Sequence, residues 1–422
     1  MPALITTAPE FTGANLYNHT PIHGLQFSRQ IYPRGSDVYT VNSAIRDPVD
    51  NSSATLPIVM KRRSPWTFPD SAAWNAFHSN PNFALNGNIS SCRYGDKIYM
   101  LGATNSPGYL IYFYFDASTD QYVFPGGGLG HGSGTVNPYW IAGNNSSNPA
   151  ILPQIGALST GKLIAIWQHL TNLQILRFAF INSDVFDAGT TLVTLSAGFD
   201  AELVNICVDA SDTTHVFYNE SSHSGVTTRK LWHVTIDSSG SVGTPDLLES
   251  YGGVSGFRYS AGPAVEFGGE ICLFASKAGT ADIFLFHGTA GIWTKTTIAT
   301  RPDTGGGLYG VPTIVSPTEL YLTWWEENDP NYPSSLFTGQ YSIWNGSTAT
   351  AKALLWDAGA NQVTPGMISP DGDITMHTLT SEFSGGKLRV LGWTEYDASF
   401  HESEVYLEVA LGAATPFVCR VR

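Results

Sequence analysis

The stretch Asn148–Ile181 reads NPAILPQIGALSTGKLIAIWQHLTNLQILRFAFI, and it determines how the rest of the chain is interpreted. An apolar run that opens with proline is followed by a turn at Ser159-Thr160-Gly161. Two further apolar runs follow, Leu163–His169 and Ile175–Ile181. The runs are short and rich in β-branched and aromatic residues, and turn signals separate them, which favours strands over helices. The stretch therefore predicts consecutive β-strands.

The same pattern recurs along the chain. The turn before the second strand of each unit falls near residues 37, 96, 162, 214, 270, 319 and 387, a spacing of about 58 residues. A repeat of this kind, with three or four strands in each unit, is typical of a β-propeller, because a four-stranded sheet buries both faces only by stacking on neighbours. We predict an all-β fold, a single β-propeller with seven blades of four-stranded antiparallel sheets; six or eight blades are the alternatives.

The predicted propeller covers residues 37–422. Residues 1–36 are predicted to form an N-terminal segment that contributes to ring closure or contacts a partner. We expect the two ends of the chain to share one blade. A single short helix is expected over residues 72–77, after the capping signal Pro69-Asp70-Ser71.

The composition excludes some partners. Charged residues make up 13% of the chain, the net charge is −14, and no basic cluster is longer than Lys61-Arg62-Arg63. Nucleic acid and anionic membrane surfaces both require a basic footprint, so neither is expected as a partner. No apolar run approaches the length of a membrane span, so no membrane insertion is predicted.

The four cysteines and the N-terminus bear on location. Cys92, Cys207, Cys272 and Cys419 show no metal-ligand spacing, and at least three lie in apolar runs, so we expect small buried side chains rather than disulfides or ligands. The N-terminus has no signal-peptide pattern. The Asn, Ser, Thr and Gly-rich composition is nevertheless typical of extracellular proteins, and we expect an extracellular or virion-surface location.

The second strands of propeller blades end at one mouth of the ring, where ligands usually bind. Residues at these ends combine aromatic rings and carboxylates with one histidine and one lysine. This combination suits sugar binding, because aromatic faces stack on pyranose rings and carboxylates accept hydrogen bonds from hydroxyl groups. The candidate ligand-binding residues are Trp167, Glu220, Lys277, Trp325, Glu326, Trp393 and Glu395.

An enzyme at the same mouth needs additional groups. A polysaccharide lyase requires a base, for which His169 and Tyr218 are candidates, and a cation such as Arg177 that neutralises a uronate carboxylate. Paired carboxylates would instead serve a glycoside hydrolase. The structural alternatives are a hydrogen-bonded strand end for His169, a solvated pair for Glu326 and Glu327, and core packing for the tryptophans.

Two further motifs carry no predicted cofactor. The glycine-rich loop over residues 126–134 lacks the Gly-Lys-Ser/Thr ending of a phosphate-binding loop, so it is interpreted as a connector. Asp371-Gly372-Asp373 is interpreted as a turn, with a calcium site as the alternative, although the 12-residue ligand spacing is absent.

Two units also carry residues of a known family pattern. Asn148-Pro149-Ala150-Ile151, Gly161-Lys162, His169 and Leu176-Arg177-Phe178 match one blade, and Gly288–Trp293 looks like an Asp box without its aspartate. The chain thus resembles BNR/Asp-box propellers, and more narrowly their ulvan-lyase-like branch. The resemblance implies a propeller fold and activity on a polysaccharide. The first histidine of the family pattern is missing, since Ser146 and Ser147 precede Asn148.

Three functions are compatible with these observations. The favoured one is a non-enzymatic structural or recognition propeller on a particle surface, a phage-like virion component that faces glycans or partner subunits. The first alternative is a polysaccharide lyase or glycoside hydrolase that acts on an acidic polysaccharide at the propeller mouth. The second is a propeller lectin, which would repeat one aromatic and polar motif in every blade. The expected partners are a glycan or polysaccharide and other virion or surface proteins.

Overall fold

The computed structural model is built from β-strands. It describes residues 4, 10–17, 30–42, 59–63, 67, 69–70, 85–104, 110–125, 150–169, 172–222, 228–252, 257–259, 264–277, 281–301, 311–327, 337–357, 375–395 and 401–411. Every regular element in these ranges is a strand, and the predicted all-β fold is confirmed. The helix expected over residues 72–77 lies outside the described residues. In the described part of the chain, no helix has the length and apolar character needed to span a bilayer.

The chain divides into two compact units. The N-terminal unit is Pro21–Val254 with Val421–Arg422, and the C-terminal unit is Met1–Thr20 with Ser255–Arg420. The described strands form seven sheets, four in the N-terminal unit and three in the C-terminal unit. The strands on the two sides of residue 36 pair with each other, and the domain bounds expected at this residue remain a prediction.

The N-terminal unit begins with two sheets whose strands follow chain order. Sheet 1 contains β2 (Gln30–Arg34), β3 (Asp37–Asn42) and β4 (Val59–Arg62). Sheet 2 contains β5 (Leu85–Tyr94), β6 (Lys97–Thr104), β7 (Leu110–Asp116) and β8 (Gln121–Val123). All neighbouring strands are antiparallel, as expected for a meander of hairpins.

Sheets 3 and 4 complete the N-terminal unit. Sheet 3 contains β9 (Ala150–Ala157), β10 (Leu163–His169), β11 (Ile175–Asn182), β12 (Val185–Phe186) and β13 (Thr190–Thr194). Sheet 4 contains β14 (Phe199–Val208), β15 (Thr214–Ser222), β16 (Thr228–Ile236) and β17 (Asp246–Gly252). The stretch Asn148–Ile181 therefore contains β9, β10 and all of β11 except its last residue.

The C-terminal unit contains sheets 5, 6 and 7. Sheet 5 contains β18 (Phe257–Tyr259), β19 (Val265–Phe267), β20 (Glu270–Lys277), β21 (Asp282–Thr289) and β22 (Ile292–Thr300). Sheet 6 contains β23 (Val311–Ser316), β24 (Glu319–Glu327), β25 (Phe337–Trp344) and β26 (Ala353–Asp357). Sheet 7 contains β27 (Thr375–Ser384), β28 (Lys387–Glu395), β29 (His401–Ala410) and β1 (Glu10–Tyr17). Because β1 pairs with β29, strands from the two ends of the chain share one sheet.

The predicted repeat matches the observed hairpins. The second strand of each sheet, in spatial order, begins at residue 37, 97, 163, 214, 270, 319 or 387. Three sheets depart from four strands. Sheet 1 has three among the described residues, and in sheets 3 and 5 two short strands share one position. In sheet 3 the turn at Ser183 and Asp184, both with positive φ, makes a tight hairpin from β11 to β12, and β13 then pairs further along β11.

Stacking between sheets builds the core of each unit. Alternate residues of β10 point to opposite neighbours: Leu163, Ala165 and Trp167 pack with sheet 2, whereas Ile164 and Ile166 pack with sheet 4. In the C-terminal unit, one cluster joins sheets 5 and 6 and another joins sheets 6 and 7. These stacked antiparallel sheets are the blades of a β-propeller, which is the fold class predicted from the sequence.

A repeated side-chain turn closes several hairpins. Asp116, Asp209, Asp237 and Asn345 each accept hydrogen bonds from the backbone N–H and the hydroxyl of the serine two residues later. The N···O distances for the backbone bonds are 2.8–2.9 Å. Such Asx turns offer the backbone a local partner where the ladder ends. The Asp/Asn-x-Ser spacing is visible in the sequence, and the sequence analysis missed it.

The two ends of each sheet differ. Turns from the first to the second strand and from the third to the fourth lie at one end, for example residues 209–213 and 290–291. The longest connections join strands at the opposite end: β8 ends and β9 begins there, and β26 ends and β27 begins there. We call these the short-turn end and the long-connection end. Longer connections carry function more often than tight turns, so we expect a binding site at the long-connection end.

One turn depends on a glycine, and this predicts a stability effect. A Cβ atom added at Gly288 would lie 2.1 Å from the Ile292 carbonyl oxygen, whereas one at Gly268 would meet nothing within 4 Å. We expect Gly288→Ala to lower the free energy of unfolding by about 3 kcal/mol, since backbone must shift. At Gly268 the backbone φ is +64°, which an alanine adopts with little strain, so Gly268→Ala should lower the free energy of unfolding by only about 1 kcal/mol. Equilibrium denaturation measures both, and equal losses would contradict the prediction.

Candidate functional site

Two neighbouring strands bring polar and aromatic residues together at the long-connection end of sheet 4. The register of β15 and β16 places Glu220 opposite Lys230 and Tyr218 opposite Trp232. Positions two apart share a face of a sheet, so all four side chains lie on one face. That face is turned towards sheet 3, because Tyr218 and Trp232 pack with side chains of β11. With Phe199 of β14, these residues form what we call the Trp232 cluster.

The Glu220 carboxylate organises the Trp232 cluster. Its Oε1 atom lies 2.8 Å from Lys230 Nζ, and its Oε2 atom accepts a 2.9 Å hydrogen bond from Trp232 Nε1. The Trp232 ring is nearly parallel to the Tyr218 ring, with an interplanar angle of 10° and centroids 6.5 Å apart. Both carboxylate oxygens therefore have a fixed donor.

The lysine links the two aromatic rings of the cluster. Lys230 Nζ lies 5.8 Å from the centroid of the Trp232 ring and 5.9 Å from that of Phe199. These distances lie at the outer limit of a cation–π interaction. The ion pair with Glu220 therefore determines where the ammonium group sits, and the two rings contribute less.

Exposure decides which groups can meet a ligand. The Tyr218 and Glu220 side chains are buried, whereas Phe199 and Trp232 are half-buried and the Lys230 side chain is 33% exposed. Aromatic carbon and an ammonium group thus reach solvent, with the carboxylate behind them. Half-exposed aromatic rings beside hydrogen-bond donors can stack on a sugar ring and bind its hydroxyl groups.

The three residues considered for catalysis lie on two sides of sheet 3. Trp167 and Arg177 form a cross-strand pair on the face of sheet 3 turned towards sheet 2, and His169 shares that face by alternation. Tyr218 lies on sheet 4 and faces the opposite side of sheet 3. Sheet 3 therefore separates Tyr218 from His169 and Arg177.

Each of these side chains also has a local structural role. His169 Nδ1 accepts a 3.1 Å hydrogen bond from the Asn172 N–H, and Arg177 Nη2 donates a 2.6 Å hydrogen bond to the Gly189 carbonyl oxygen. Burial raises the pKa of Tyr218, and the nearby Glu220 carboxylate raises it further. Trp167 is only 2% exposed and belongs to the core between sheets 2 and 3. It therefore packs in the core, which is the structural alternative considered for the tryptophans.

The other candidates sit at the expected strand ends. Each ends its strand, or comes within two residues of the end, at the long-connection end of sheets 5, 6 and 7. Their side chains, those of Lys277, Trp325, Glu326, Trp393 and Glu395, lie outside the described residues. Their role as ligand-binding residues remains a prediction, as does the calcium alternative at residues 371–373, which also lie outside.

Three members of the Trp232 cluster were missed by the sequence analysis. Phe199 lies on the first strand and Lys230 and Trp232 on the third, whereas only the ends of second strands were considered. A signal did exist: Lys230 and Trp232 are two residues apart, so a strand must place them on one face. Their position opposite Glu220 and Tyr218 follows from the register, which the sequence does not show.

A second polar cluster lies at the short-turn end of sheet 4. His215 Nδ1 is 2.9 Å from His233 Nε2, and the outer ring nitrogens face Asp209 at 3.2 Å and Asp246 at 3.3 Å. His233 is fully buried, so a substrate cannot reach it. In the part of the chain that the structure describes, no three His, Cys, Asp or Glu side chains are grouped to hold a metal ion.

Comparisons with known proteins agree with the fold. No protein-family model matches the chain, and no curated protein is similar to it in sequence. The crystal structure of the polysaccharide lyase Uly1 is similar with a TM-score of 0.53 and 11% sequence identity, over 94% of this chain and 92% of that chain. At this identity the similarity shows a shared fold, and it extends over nearly the whole length of both proteins.

Two other structures are similar at lower scores. An α-L-arabinanase from Penicillium chrysogenum has a TM-score of 0.44 and 9% identity, over 77% of this chain and 93% of that chain. The Aleuria aurantia lectin has a TM-score of 0.40 and 12% identity, over 78% of this chain and 97% of that chain. Among these three structures, only the similarity to Uly1 is close enough to support the fold.

The buried histidine predicts a dependence of stability on pH. Burial, and to a lesser extent His215, lowers the pKa of His233 to about 4, from an ordinary value of 6.5. The unfolded chain then binds the proton more readily than the folded chain. The contribution of His233 to the free energy of unfolding is therefore complete above pH 6.5 and is lost as the pH falls towards 4. Because of this residue, we expect the free energy of unfolding to be roughly 2 kcal/mol lower at pH 5 than at pH 7.

Denaturation of the wild type and of His233→Gln at both pH values isolates this contribution, because the variant lacks the titrating ring. The loss between pH 7 and pH 5 should be smaller in the variant. An NMR titration of the His233 ring with a midpoint near 6.5 would contradict the assignment.

Proposed function

We propose that this protein is a carbohydrate-binding β-propeller without catalytic activity and that glycans bind at the Trp232 cluster. The observation that carries the proposal is the set of half-exposed rings, Phe199 and Trp232, held beside Lys230 at the long-connection end of sheet 4. Sugars offer an apolar face and a rim of hydroxyl groups, and this surface offers aromatic carbon and an ammonium donor.

The cluster is also held in place before a ligand arrives. The hydrogen bond to Glu220 fixes the indole of Trp232, and the ion pair fixes Lys230. Groups that are already ordered lose little conformational entropy on binding, so more of the interaction energy appears as affinity. Fixed rings of this kind favour a recognition surface over a loosely solvated one.

The fold supports a polysaccharide ligand in a general way. Uly1, whose fold this chain shares, is a polysaccharide lyase. A lyase needs a base and a cation at one point of the substrate. Of the groups considered for these roles, the His169 side chain is buried and its Nδ1 accepts a hydrogen bond from the Asn172 N–H, and Arg177 Nη2 donates to the Gly189 carbonyl oxygen. These local hydrogen bonds engage the candidate base and cation, which favours binding over catalysis.

We also propose a location on a particle or cell surface, with a virion as the favoured particle. The proposal is based on the low content of charged residues, 13%, and on the predicted glycan partner. Membership of the BNR/Asp-box type is likewise proposed from the residues around Asn148 and Gly288. Fractionation of the native source, followed by detection of this chain in particles or in the cell, tests the location.

The proposal predicts that removing the half-buried ring of Trp232 weakens binding. A polysaccharide array first identifies a glycan that the wild type binds. Trp232→Ala should weaken binding to that glycan by about ten-fold or more, since it deletes the stacking surface. Trp293→Ala is the matched control, because Trp293 is also half-buried but lies at the start of β22 at the short-turn end of sheet 5. Isothermal titration measures both. Equal losses in the two variants would argue against the Trp232 cluster as the binding site.

The proposal also predicts no eliminative cleavage. Incubation with acidic polysaccharides should produce no rise in the absorbance of unsaturated uronate, because local hydrogen bonds engage the candidate base His169 and the candidate cation Arg177. A lyase of known activity added to the same substrates is the positive control. A rise that His169→Ala abolishes would show that the protein is an enzyme and would replace the proposed function.

A further inference from the structure

We infer that the Trp232 cluster selects neutral glycans over acidic ones. The inference rests on the proposed function, since it concerns the ligand class of the same site. It differs from the acidic polysaccharide expected of a lyase. It follows from the way the only two charged members of the cluster, Lys230 and Glu220, are paired.

The charge of Lys230 is already neutralised. Its Nζ atom is 2.8 Å from Glu220 Oε1, and the carboxylate is the more buried of the two, with its side chain 11% exposed against 33% for lysine. A sugar carboxylate could recruit the ammonium group only by drawing it away from Glu220. That would leave a buried carboxylate without its counter-ion, and removing one partner of a buried pair is strongly unfavourable.

Keeping the ion pair does not help an acidic ligand either. With the pair intact, the cluster carries no net charge, and an incoming carboxylate lies close to the Glu220 carboxylate. The chain as a whole has a net charge of −14, which also repels polyanions at low salt. Both the local and the overall charge therefore disfavour uronates and sulfated sugars.

A neutral sugar meets none of these costs. The ammonium group of Lys230 has three N–H donors, and its bond to Glu220 leaves others for hydroxyl oxygens. The rings of Phe199 and Trp232 offer stacking surfaces that are independent of charge. An uncharged pyranose can therefore use the exposed groups while the ion pair stays intact.

The test presents each unsulfated uronate polysaccharide beside its carboxyl-reduced form, which has the same linkages and no charge. The wild type should bind the reduced forms, and natural neutral glycans, about ten-fold or more tightly than the acidic forms. In Glu220→Gln, the amide oxygen still accepts from Trp232 Nε1, but Lys230 loses its counter-ion. The ratio of the affinity for the acidic forms to the affinity for the neutral forms should rise about ten-fold.

A second variant controls for overall charge. Glu319→Gln removes the same unit of charge at the short-turn end of sheet 6, where β24 begins, and should leave both affinities unchanged. Circular dichroism confirms that the variants are folded. Tighter binding of acidic forms by the wild type, or an unchanged preference in Glu220→Gln, would overturn the inference while leaving glycan binding in place. Binding of no glycan at all by the wild type would instead overturn the proposed function.

Discussion

The stacking of one antiparallel sheet on the next is the interaction on which the rest of this structure depends. A sheet of short strands has two faces to bury, and the chain solves this by placing apolar side chains on both. Every residue of β10 is buried, with alternate side chains entering the cores on its two sides. At Gly156, a Cβ atom would lie 2.8 Å from Val208 Cγ2, which shows how closely β9 approaches β14 in sheet 4. Removal of one sheet would expose apolar faces on its neighbours.

This double burial restricts where function can lie. A side chain in the middle of a strand enters a core, so Trp167 and Tyr218 pack between sheets although their residue types suit ligand binding or catalysis. Only near the strand ends do side chains reach solvent while the strands still fix their positions. Phe199, Lys230 and Trp232 meet this condition. Glu220 differs from these three residues because it is buried, and its two carboxylate oxygens hold Lys230 and Trp232 in place.

Double burial also places the residues considered for catalysis on two sides of sheet 3. His169 and Arg177 remain on one face of sheet 3, as their spacing around the β10–β11 hairpin requires. Tyr218 faces the other side of that sheet, and nothing local in the sequence records this. An ion pair that looks like a carboxylate-binding site when its lysine is considered alone becomes a neutral surface when its glutamate is included. The proposed ligand class therefore depends on a cross-strand contact between Glu220 and Lys230.

The sequence by itself determined the fold class, the repeat and the start of each second strand, because turn residues and strand periodicity are local properties of a few neighbouring residues. It also predicted that Glu220 would lie at a ligand-facing strand end. Only the tertiary structure decided which face each side chain occupies and which residue lies opposite it. Strand register and the order of stacked sheets join residues that are distant in the chain, as Phe199 and Lys230 are, so no local pattern can specify them.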